Sequence, residues 1–191
     1  MSSRNGRLII ISAPSGCGKT TLCELLVKSV PNIARSVSLT TRKPRKTERR
    51  NSDYIFVSKK EFKKEIRNNN ILEWALNFGY HYGTPKNKTL RLLRGGKDVI
   101  LAIDVKGAMK VKRLYPDSVL IFIAPPSLKV LKTRLMNRNT DGMREVDNRI
   151  RVAKRELGFL TKYDYVVVND KIDSAKKKLC TIVLAERYRV R

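Results

Sequence analysis

Blocks of apolar and polar positions alternate along the chain and predict strands and helices in turn. Runs rich in β-branched residues indicate strands, whereas apolar residues spaced three and four positions apart indicate helices. The strands are predicted at residues 7–12, 54–57, 71–75, 80–82, 99–103, 119–123 and 165–168. The helices are predicted at 20–28, 59–69, 106–114, 127–134, 149–160 and 173–188, and Thr84-Pro85 predicts the start of another. Strands that alternate with helices predict an α/β fold with a parallel sheet.

Two polar segments interrupt this alternation. Residues 38–50 form a basic stretch after Pro31 ends the first helical pattern, and residues 137–147 are polar, rich in arginine and without periodicity. Enzymes use segments of this kind to close over bound substrates. The second segment is therefore predicted to be a mobile lid.

The chain carries a large excess of positive charge. Its 42 lysines and arginines outnumber 17 acidic residues and give a formal net charge of +25. Such a charge favours polyanionic partners, either nucleic acid or the phosphates of nucleotides. The length of 191 residues and the hydrophobic content of 41% suit a single folded domain with a substantial core.

Cysteine usage and hydropathy indicate the compartment. Cys17, Cys23 and Cys180 form no CxxC pair, and an odd number of cysteines outside a secretory context indicates reduced thiols in the cytoplasm. No stretch approaches the roughly 20 consecutive apolar residues of a membrane span. We therefore expect a soluble cytoplasmic protein with no membrane partner and no metal cage.

The segment after the first predicted strand is typical of a phosphate-binding P-loop. The template is glycine, four residues, then Gly-Lys and serine or threonine, placed between a strand and a helix. Residues 13–20 match it with Gly18, Lys19 and Thr20, except that Ala13 stands where the template has glycine. A small residue suffices there if φ is negative. An ordinary glycine-rich turn is the alternative, but it gives no reason for Lys19 and Thr20.

The order of segments and five motifs resemble the guanylate kinase family of nucleoside monophosphate kinases. The motifs, in the order and spacing of that family, are Ser38-Leu-Thr-Thr-Arg42-Lys-Pro-Arg45, Asp53-Tyr54, Glu73-Trp74-Ala75, Tyr82-Gly83-Thr84 and Ile103-Asp104-Val-Lys-Gly107. The resemblance extends from about residue 7 to residue 189 and includes the later segments 134–141 and 165–170.

The resemblance implies an α/β fold of the P-loop NTPase type, with three layers, a central parallel sheet, an inserted NMP-binding subdomain and a lid. Residues 1–191 would be a single domain, with a core (about 1–35, 96–134 and 150–191), a GMP-binding insertion (about 36–95) and a lid (about 135–149). The implied reaction transfers the γ-phosphoryl group of ATP to GMP and gives ADP and GDP. The acceptor phosphate, with a second pKa of about 6, is already ionised, so no general base is needed.

The resemblance assigns the ATP side of the site to the P-loop. Backbone N–H groups of residues 15–20 would hold the β-phosphate, Lys19 would reach the β- and γ-oxygens, and the Thr20 hydroxyl would bind Mg²⁺. The set expected to bind ATP is Ala13, Pro14, Ser15, Gly16, Cys17, Gly18, Lys19, Thr20, Thr21 and Asn169, the last at the adenine. Ala102 stands where the family usually has an aspartate near the metal, which weakens the case for a direct carboxylate ligand.

The resemblance assigns the GMP side to the insertion and to one later residue. The side chains expected to bind GMP are Ser38, Arg42, Arg45, Tyr54, Glu73, Tyr82, Thr84 and Asp104. The two arginines and two tyrosines would hold the phosphate, the carboxylates would accept from N1–H and the 2-amino group of guanine, and the hydroxyls of Ser38 and Thr84 would pair with O6. The alternatives are a solvated basic loop or RNA-binding patch for residues 42–50, and a surface charge for Glu73.

Three late arginines complete the predicted catalytic set, which is Lys19, Arg134, Arg138 and Arg149. The arginines would close over the ATP phosphates and neutralise the charge that develops during transfer. An ordinary position on a helix surface is the alternative for Arg134. Trp74, beside the predicted guanine carboxylate, is expected to lie in the core.

Two other functional classes stay open. A guanylate kinase-like module without activity would bind protein ligands, but the retained Lys19, Thr20 and arginines argue against it. A nucleic-acid-dependent ATPase would explain the net charge, but the sequence has no RNA-binding signature and no cluster of stacking aromatics. We therefore expect ATP and GMP as partners and no specific nucleic acid, and the sequence leaves monomer or homo-oligomer open.

Overall fold

Strands and helices alternate in the computed structural model, which describes residues 5–45, 48–49, 51–137 and 143–190. The strands are β1 (Leu8–Ser12), β2 (Ile33–Arg35), β3 (Leu39–Thr40), β4 (Ile55–Phe56), β5 (Ile71–Asn77), β6 (Tyr80–Pro85), β7 (Asp98–Ala102), β8 (Val119–Ala124) and β9 (Tyr165–Val168). The helices are α1 (Lys19–Ser29), α2 (Lys59–Arg67), α3 (Lys86–Arg94), α4 (Val105–Leu114), α5 (Leu128–Met136), α6 (Met143–Leu157) and α7 (Ile172–Arg187), with a 3₁₀ turn at Leu160–Lys162. Among the described residues, no helix is long and apolar enough to cross a membrane.

Five strands form a central parallel sheet in the order β2-β7-β1-β8-β9. Its middle strand sends side chains to both faces: Ile9 and Ile11 pack with α1, α5, α6 and α7, whereas Leu8 and Ile10 pack with α3 and α4. Parallel strands that are covered on both faces have continuous apolar sequences, which is why the sequence predicts β1 and β8. The predicted three-layer α/β fold with a central parallel sheet is confirmed.

A second sheet, in the order β4-β3-β6-β5, lies between β2 and α3 in the sequence. Its antiparallel strands β5 and β6 are joined at Phe78 and Gly79, which both have positive φ (50° and 80°). Two consecutive residues of positive φ are what a tight hairpin turn requires. Leu39, Phe62 and Ile71 form a small core under this sheet. Leu39, near the start of the basic segment, therefore belongs to a structured unit with apolar packing of its own.

Several boundaries differ from the sequence-based expectation. The pattern does not predict β2 and β3, because strands of three and two residues are too short for a period-two signal. The helix expected to start at Thr84-Pro85 starts at Lys86, since the Thr84 hydroxyl donates to Glu73 Oε1 (2.7 Å) instead of capping the helix. The helix expected from 149 starts at Met143, so the prediction of an irregular segment is wrong for 143–147.

Trp74 is not the core residue that the sequence predicts. Its side chain is 38% exposed, whereas the neighbouring Glu73 is only 6% exposed. Side chains alternate between the faces of a strand, so β5 directs one of these two inward and the other outward. Lys110 on α4 partly covers the indole, with Nζ 5.2 Å from the ring centroid and 2.8 Å from the Trp74 carbonyl oxygen. Glu73 is therefore the buried residue of the two, which disagrees with the alternative of a surface charge at this position.

Candidate active site

The loop between β1 and α1 has the backbone shape of a P-loop. Gly16 and Gly18 have φ of 92° and 79°, in the region that favours glycine. A Cβ at Gly18 would lie 2.7 Å from Asn169 Nδ2, so this position also lacks space for a side chain. Ala13 is not among the residues with positive φ, which is the condition under which alanine can replace the template glycine. Because α1 starts directly after Gly18, an anion can bind at its N-terminus.

The Lys19 ammonium group is held between the P-loop and the carboxyl end of β7. Its Nζ donates to the Ile103 carbonyl oxygen at 2.9 Å. Ile103 precedes Asp104, the N-cap of α4, whose side chain lines the same cavity as Lys19. The carbonyl is a neutral acceptor, and charge-assisted hydrogen bonds are stronger than bonds to neutral groups. A phosphate group at the P-loop would therefore compete successfully for this ammonium.

Asn169 and Arg134 support the P-loop from behind. Asn169 Nδ2 donates to the Cys17 carbonyl oxygen at 2.9 Å. Arg134 donates to the backbone carbonyls of Asn169 (Nη1, 2.9 Å) and Asp170 (Nη2, 3.1 Å). The two residues thus connect α5 and the end of β9 to the loop. Their predicted contacts with adenine and with the ATP phosphates stay predictions.

One cavity of about 300 Å³ brings most of the predicted site residues together. Its walls come from the P-loop, from the second sheet and its loops, from the end of β7 and from α6. The predicted residues that line it are Ala13, Pro14, Ser15, Gly16, Gly18, Lys19, Thr20, Thr21, Ser38, Arg42, Arg45, Tyr54, Glu73, Tyr82, Asp104 and Arg149. Cys17, Thr84, Arg134 and Asn169 are described but do not line it. Arg138 lies outside the described residues.

Glu73 is a buried carboxylate at one end of this cavity. Its Oε1 accepts a hydrogen bond from Thr84 Oγ1 at 2.7 Å, and a Cβ at Gly107 would lie only 2.7 Å from its Oε2. Burial raises the pKa of Glu73 to about 7, and the nearby charge of Asp104 adds to this increase, against the hydrogen bond from Thr84. Among the residues that the structure describes, no cation forms an ion pair with Glu73, and the charges of Lys110 and Lys19 lower its pKa less than burial raises it.

Asp104 is fixed by two neighbours at the same end of the cavity. Its Oδ1 accepts from the Gly107 backbone N–H at 2.7 Å, which caps α4. The amide of Asn77, at the end of β5, donates to its Oδ2. A capping aspartate is ordinary in itself, but here the cap is positioned next to Glu73 by the contact between α4 and β5. The two predicted guanine carboxylates therefore lie together.

The other end of the cavity holds a buried ion pair. Arg42 Nη2 lies 2.7 Å from Oε1 and 3.0 Å from Oε2 of Glu48, and Oε2 also accepts from the Arg45 backbone N–H at 2.8 Å. Burial by itself would raise the pKa of Glu48, but the hydrogen bonds from Arg42 and Arg45 outweigh it and hold that pKa below its ordinary value. Glu48 therefore stays ionised to a lower pH than an ordinary glutamate does.

The Arg42 guanidinium also packs among aromatic rings. Its Nε donates to the Tyr82 hydroxyl oxygen at 3.2 Å, and its Nη1 donates to the Lys43 carbonyl oxygen at 2.7 Å. Its Cζ lies 5.6 Å from the centroid of Tyr54 and 5.9 Å from that of Phe56, within the range of cation–π contacts. Three of the residues predicted to hold the phosphate of GMP, Arg42, Tyr54 and Tyr82, therefore contact one another.

Arg149 connects the P-loop to the hairpin turn of the second sheet. From the second turn of α6, its Nη1 donates to Ser15 Oγ at 2.9 Å and its Nη2 donates to Glu145 Oε1 at 2.6 Å. Its Cζ lies 5.4 Å from the centroid of the Phe78 ring. A cation of α6 therefore lies between the P-loop and the hairpin turn, at the boundary between the two predicted substrate sites.

Sequence reasoning missed two acidic residues of the cavity. Glu48 lies in the basic stretch, where a single carboxylate among arginines and lysines was the available signal for an internal ion pair. Glu156 lies on α6, and burial raises its pKa to about 7. Helix α6 carries both acidic and basic residues, so its sequence does not distinguish Glu156 from a solvent-exposed charge. Glu156 lines the same cavity as the P-loop, which is distant from it in the sequence.

Comparisons with known proteins identify the family. The guanylate kinase family model matches residues 5–186. The guanylate kinase of Caldanaerobacter subterraneus is 44% identical over 187 residues, which cover 98% of this chain and 91% of that protein. The guanylate kinase of Clostridium tetani is 45% identical over 185 residues, 97% of this chain and 88% of that protein. The crystal structure of guanylate kinase from Anaplasma phagocytophilum superposes with a TM-score of 0.85 at 33% identity and covers 100% of this chain and 90% of its own. The chain belongs to the guanylate kinase family.

Proposed function

We propose that this protein transfers the γ-phosphoryl group of ATP to GMP and releases ADP and GDP. The observation that carries the proposal is that one cavity joins a P-loop lysine to a buried carboxylate and an arginine clamp. A P-loop by itself fits any ATPase or GTPase. A second site in the same cavity, with cations for a phosphate and a carboxylate for a base, fits an enzyme that takes a nucleotide as acceptor.

Guanine selection is proposed to rest on Glu73. The N1–H and 2-amino groups of guanine are adjacent donors, so one carboxylate can accept from both, whereas adenine presents an acceptor at N1. An unpaired polar group in a buried site costs about 1–3 kcal/mol. The proton of the Thr84 hydroxyl is used on Glu73. We therefore infer that Thr84 acts on guanine by orienting Glu73, and that Ser38, which lines the cavity, pairs with O6.

The chemistry requires alignment and charge neutralisation. GMP brings its own ionised oxygen nucleophile, so the protein has two anions to hold in line and developing charge to stabilise. The P-loop N–H groups and Lys19 would hold the donor phosphates, and Arg42 and Arg45 would hold the acceptor phosphate. Arg149, held between Ser15 and Phe78, is placed to contact both. Arg134 and Arg138 complete the predicted set of lid cations.

The residues of the P-loop fit Mg²⁺ as the metal of the ATP complex. Thr20 supplies a hydroxyl oxygen in the first turn of α1 and lines the cavity. The described residues contain no group of three His, Cys, Asp or Glu that could hold a metal ion by themselves. This suits Mg²⁺, which retains waters and binds mostly to substrate phosphates. When bound, the metal would neutralise phosphate charge, and the protein would contribute Thr20. We further propose the cytoplasm as the compartment, from the odd number of cysteines.

A coupled assay of ADP formation tests the proposal. With ATP and Mg²⁺ constant, GMP should support turnover, and AMP, CMP and UMP should support it far less. Lys19→Ala should lower kcat by at least about 100-fold, because it removes a cation that stabilises the transferring group. Lys28→Ala, in the last turn of the same helix, is the matched control and should leave turnover unchanged. Retained catalysis by folded Lys19→Ala, or ATP hydrolysis stimulated by RNA without GMP, would contradict the proposal.

A further inference from the structure

Glu48 occupies the centre of the clamp that is proposed to hold the phosphate of GMP. Both oxygens of its carboxylate lie within 3.0 Å of Arg42 Nη2, and the backbone N–H of Arg45 donates to one of them. The side chains of Arg42 and Glu48 are only 13% and 14% exposed. A pair that is this buried and has this geometry is more than a chance contact between surface charges.

The contacts of Arg42 fix the orientation of its guanidinium. All three of its nitrogens have acceptors: the Tyr82 hydroxyl oxygen for Nε, the Lys43 carbonyl for Nη1 and Glu48 for Nη2. Glu48 is the only charged acceptor of the three, and bonds between charged groups are the strong ones. The carboxylate therefore contributes most to keeping this planar cation in one position.

The bond from Arg42 to Tyr82 has a consequence for the tyrosine. The Tyr82 oxygen accepts from Nε, so its own O–H proton must be directed to another acceptor. Tyr82 lines the cavity, where an anionic oxygen is the partner that such a proton prefers. We propose that Glu48 is a positioning residue for the acceptor nucleotide, which fixes Arg42 and, through it, presents the Tyr82 hydroxyl to a phosphate monoester. This proposal rests on the function proposed above.

The opposite effect of Glu48 is physically possible and predicts the opposite sign. Two anions that share one cation repel each other, so a Glu48 that occupied the place of the phosphate would weaken nucleotide binding. Removal of the carboxylate would then lower the KM for GMP. If Glu48 positions Arg42, its removal raises that KM. The sign of the change separates the two cases.

Steady-state kinetics of Glu48→Gln and Glu48→Ala test the proposal. We expect Glu48→Ala to raise the KM for GMP about 5- to 30-fold, the loss expected for a charge-assisted hydrogen bond, with kcat and the KM for ATP within about 2-fold. Glu48→Gln should have a smaller effect, because its carbonyl oxygen can still accept one bond. Glu65→Gln removes a carboxylate from α2 and should change neither constant. If Glu48→Ala does not fold, Glu48→Gln alone decides.

A double-mutant cycle with Tyr82→Phe distinguishes positioning from a general effect on structure. If Glu48 acts through Arg42 on Tyr82, the increase in KM from Glu48→Ala should shrink when Tyr82 is already phenylalanine. Fully additive effects, or an unchanged or lower KM for GMP in both Glu48 variants, would overturn the proposal. The proposed function fails separately, if the wild-type protein forms no ADP with GMP.

Discussion

Glu73 and Glu48 lie at the two ends of the cavity, and their carboxylates differ in their partners and in the direction of their pKa shifts. At the end proposed for the base, the Thr84 hydroxyl is the one hydrogen-bond partner of the Glu73 side chain among the described residues, and burial raises the pKa of Glu73 to about 7. At the end proposed for the phosphate, Glu48 has the Arg42 guanidinium and the Arg45 N–H, which hold its pKa below the ordinary value despite burial. The same functional group is thus uncompensated at one end and compensated at the other.

The difference between the two carboxylates follows from the chemistry of the two parts of GMP, the base and the phosphate. Guanine presents neutral N–H donors, and a carboxylate with acceptor capacity left over can bind them. A phosphate presents charge, so the protein must supply fixed cations, and at this end the Glu48 carboxylate helps to fix Arg42. Burial of the Glu73 carboxylate therefore destabilises the fold until guanine donors bind it, whereas the ion pair of Glu48 with Arg42 needs no ligand. Functional sites commonly sacrifice stability in this way.

The largest expected effect is that of Glu73→Gln on base selection. Glutamine keeps the size of the side chain but places a donor against the donor-rich edge of guanine. The kcat/KM for GMP should fall by roughly 2–4 kcal/mol, and that for AMP by much less. The two values are measured at the same Mg-ATP concentration for wild type and variant. An unchanged preference for GMP over AMP would show that Glu73 does not contact the base.

Substitutions in the clamp and substitutions beside the P-loop should affect different kinetic constants. Arg42→Ala should raise the KM for GMP by the equivalent of about 2–3 kcal/mol, because it removes the charged donor of the ground-state complex. Arg149→Ala should chiefly lower kcat, because its position beside Ser15 suits charge that develops during transfer. Arg45→Ala should resemble Arg42→Ala. Equal effects of all three on the affinity for GMP would contradict the division into clamp and transfer residues.

The sequence predicts the contiguous P-loop better than it predicts the residues whose burial depends on elements far away in the sequence. The P-loop is contiguous, and its glycines, Lys19 and Thr20 are recognisable because helix and strand signals flank them. Glu48 was overlooked because a carboxylate in a basic stretch resembles solvated charge until Arg42 is buried over it. The resemblance placed Glu73 in the site, but the outward position of Trp74 depends on which face of β5 meets α4, and the sequence of this segment does not reveal that choice. Burial by distant elements is the information that a single sequence lacks.

The raised pKa of Glu73 predicts a pH dependence at the base end alone. Below about pH 7 the carboxyl becomes protonated and loses acceptor capacity, so kcat/KM for GMP should fall by up to about tenfold per pH unit. Glu48 stays ionised in this range because its pKa is lowered. Since the phosphate of GMP itself titrates near pH 6, the control is the profile of Glu73→Gln. A transition near pH 7 that persists in Glu73→Gln would assign it to another group, and Glu156, which lines the same cavity and whose pKa burial also raises to about 7, is the first to test.

The smallest expected effect, and the one that tests the comparison most directly, is on stability. The folded-state pKa of Glu73 is about 7 and its ordinary value is 4.5, so the folded protein binds more protons between these values, and the free energy of unfolding falls as pH rises through this window. Glu73→Gln removes this cost and should raise Tm at pH 8 by about 2–6 °C, with the difference vanishing below pH 4.5.

Glu48→Gln should have the opposite sign at pH 8. Its folded-state pKa lies below the ordinary 4.5, so its ion pair stabilises the fold above that pH and is lost as pH falls through the folded-state value. Replacement of one partner leaves Arg42 buried without its anion, which lowers Tm at pH 8, and the difference should shrink in acid. Thermal melts of both variants at pH 8 and pH 4 measure this. If the two glutamines shift Tm in the same direction at pH 8, the two ends of the cavity do not differ as their contacts indicate, because opposite signs follow only from an uncompensated and a compensated carboxylate.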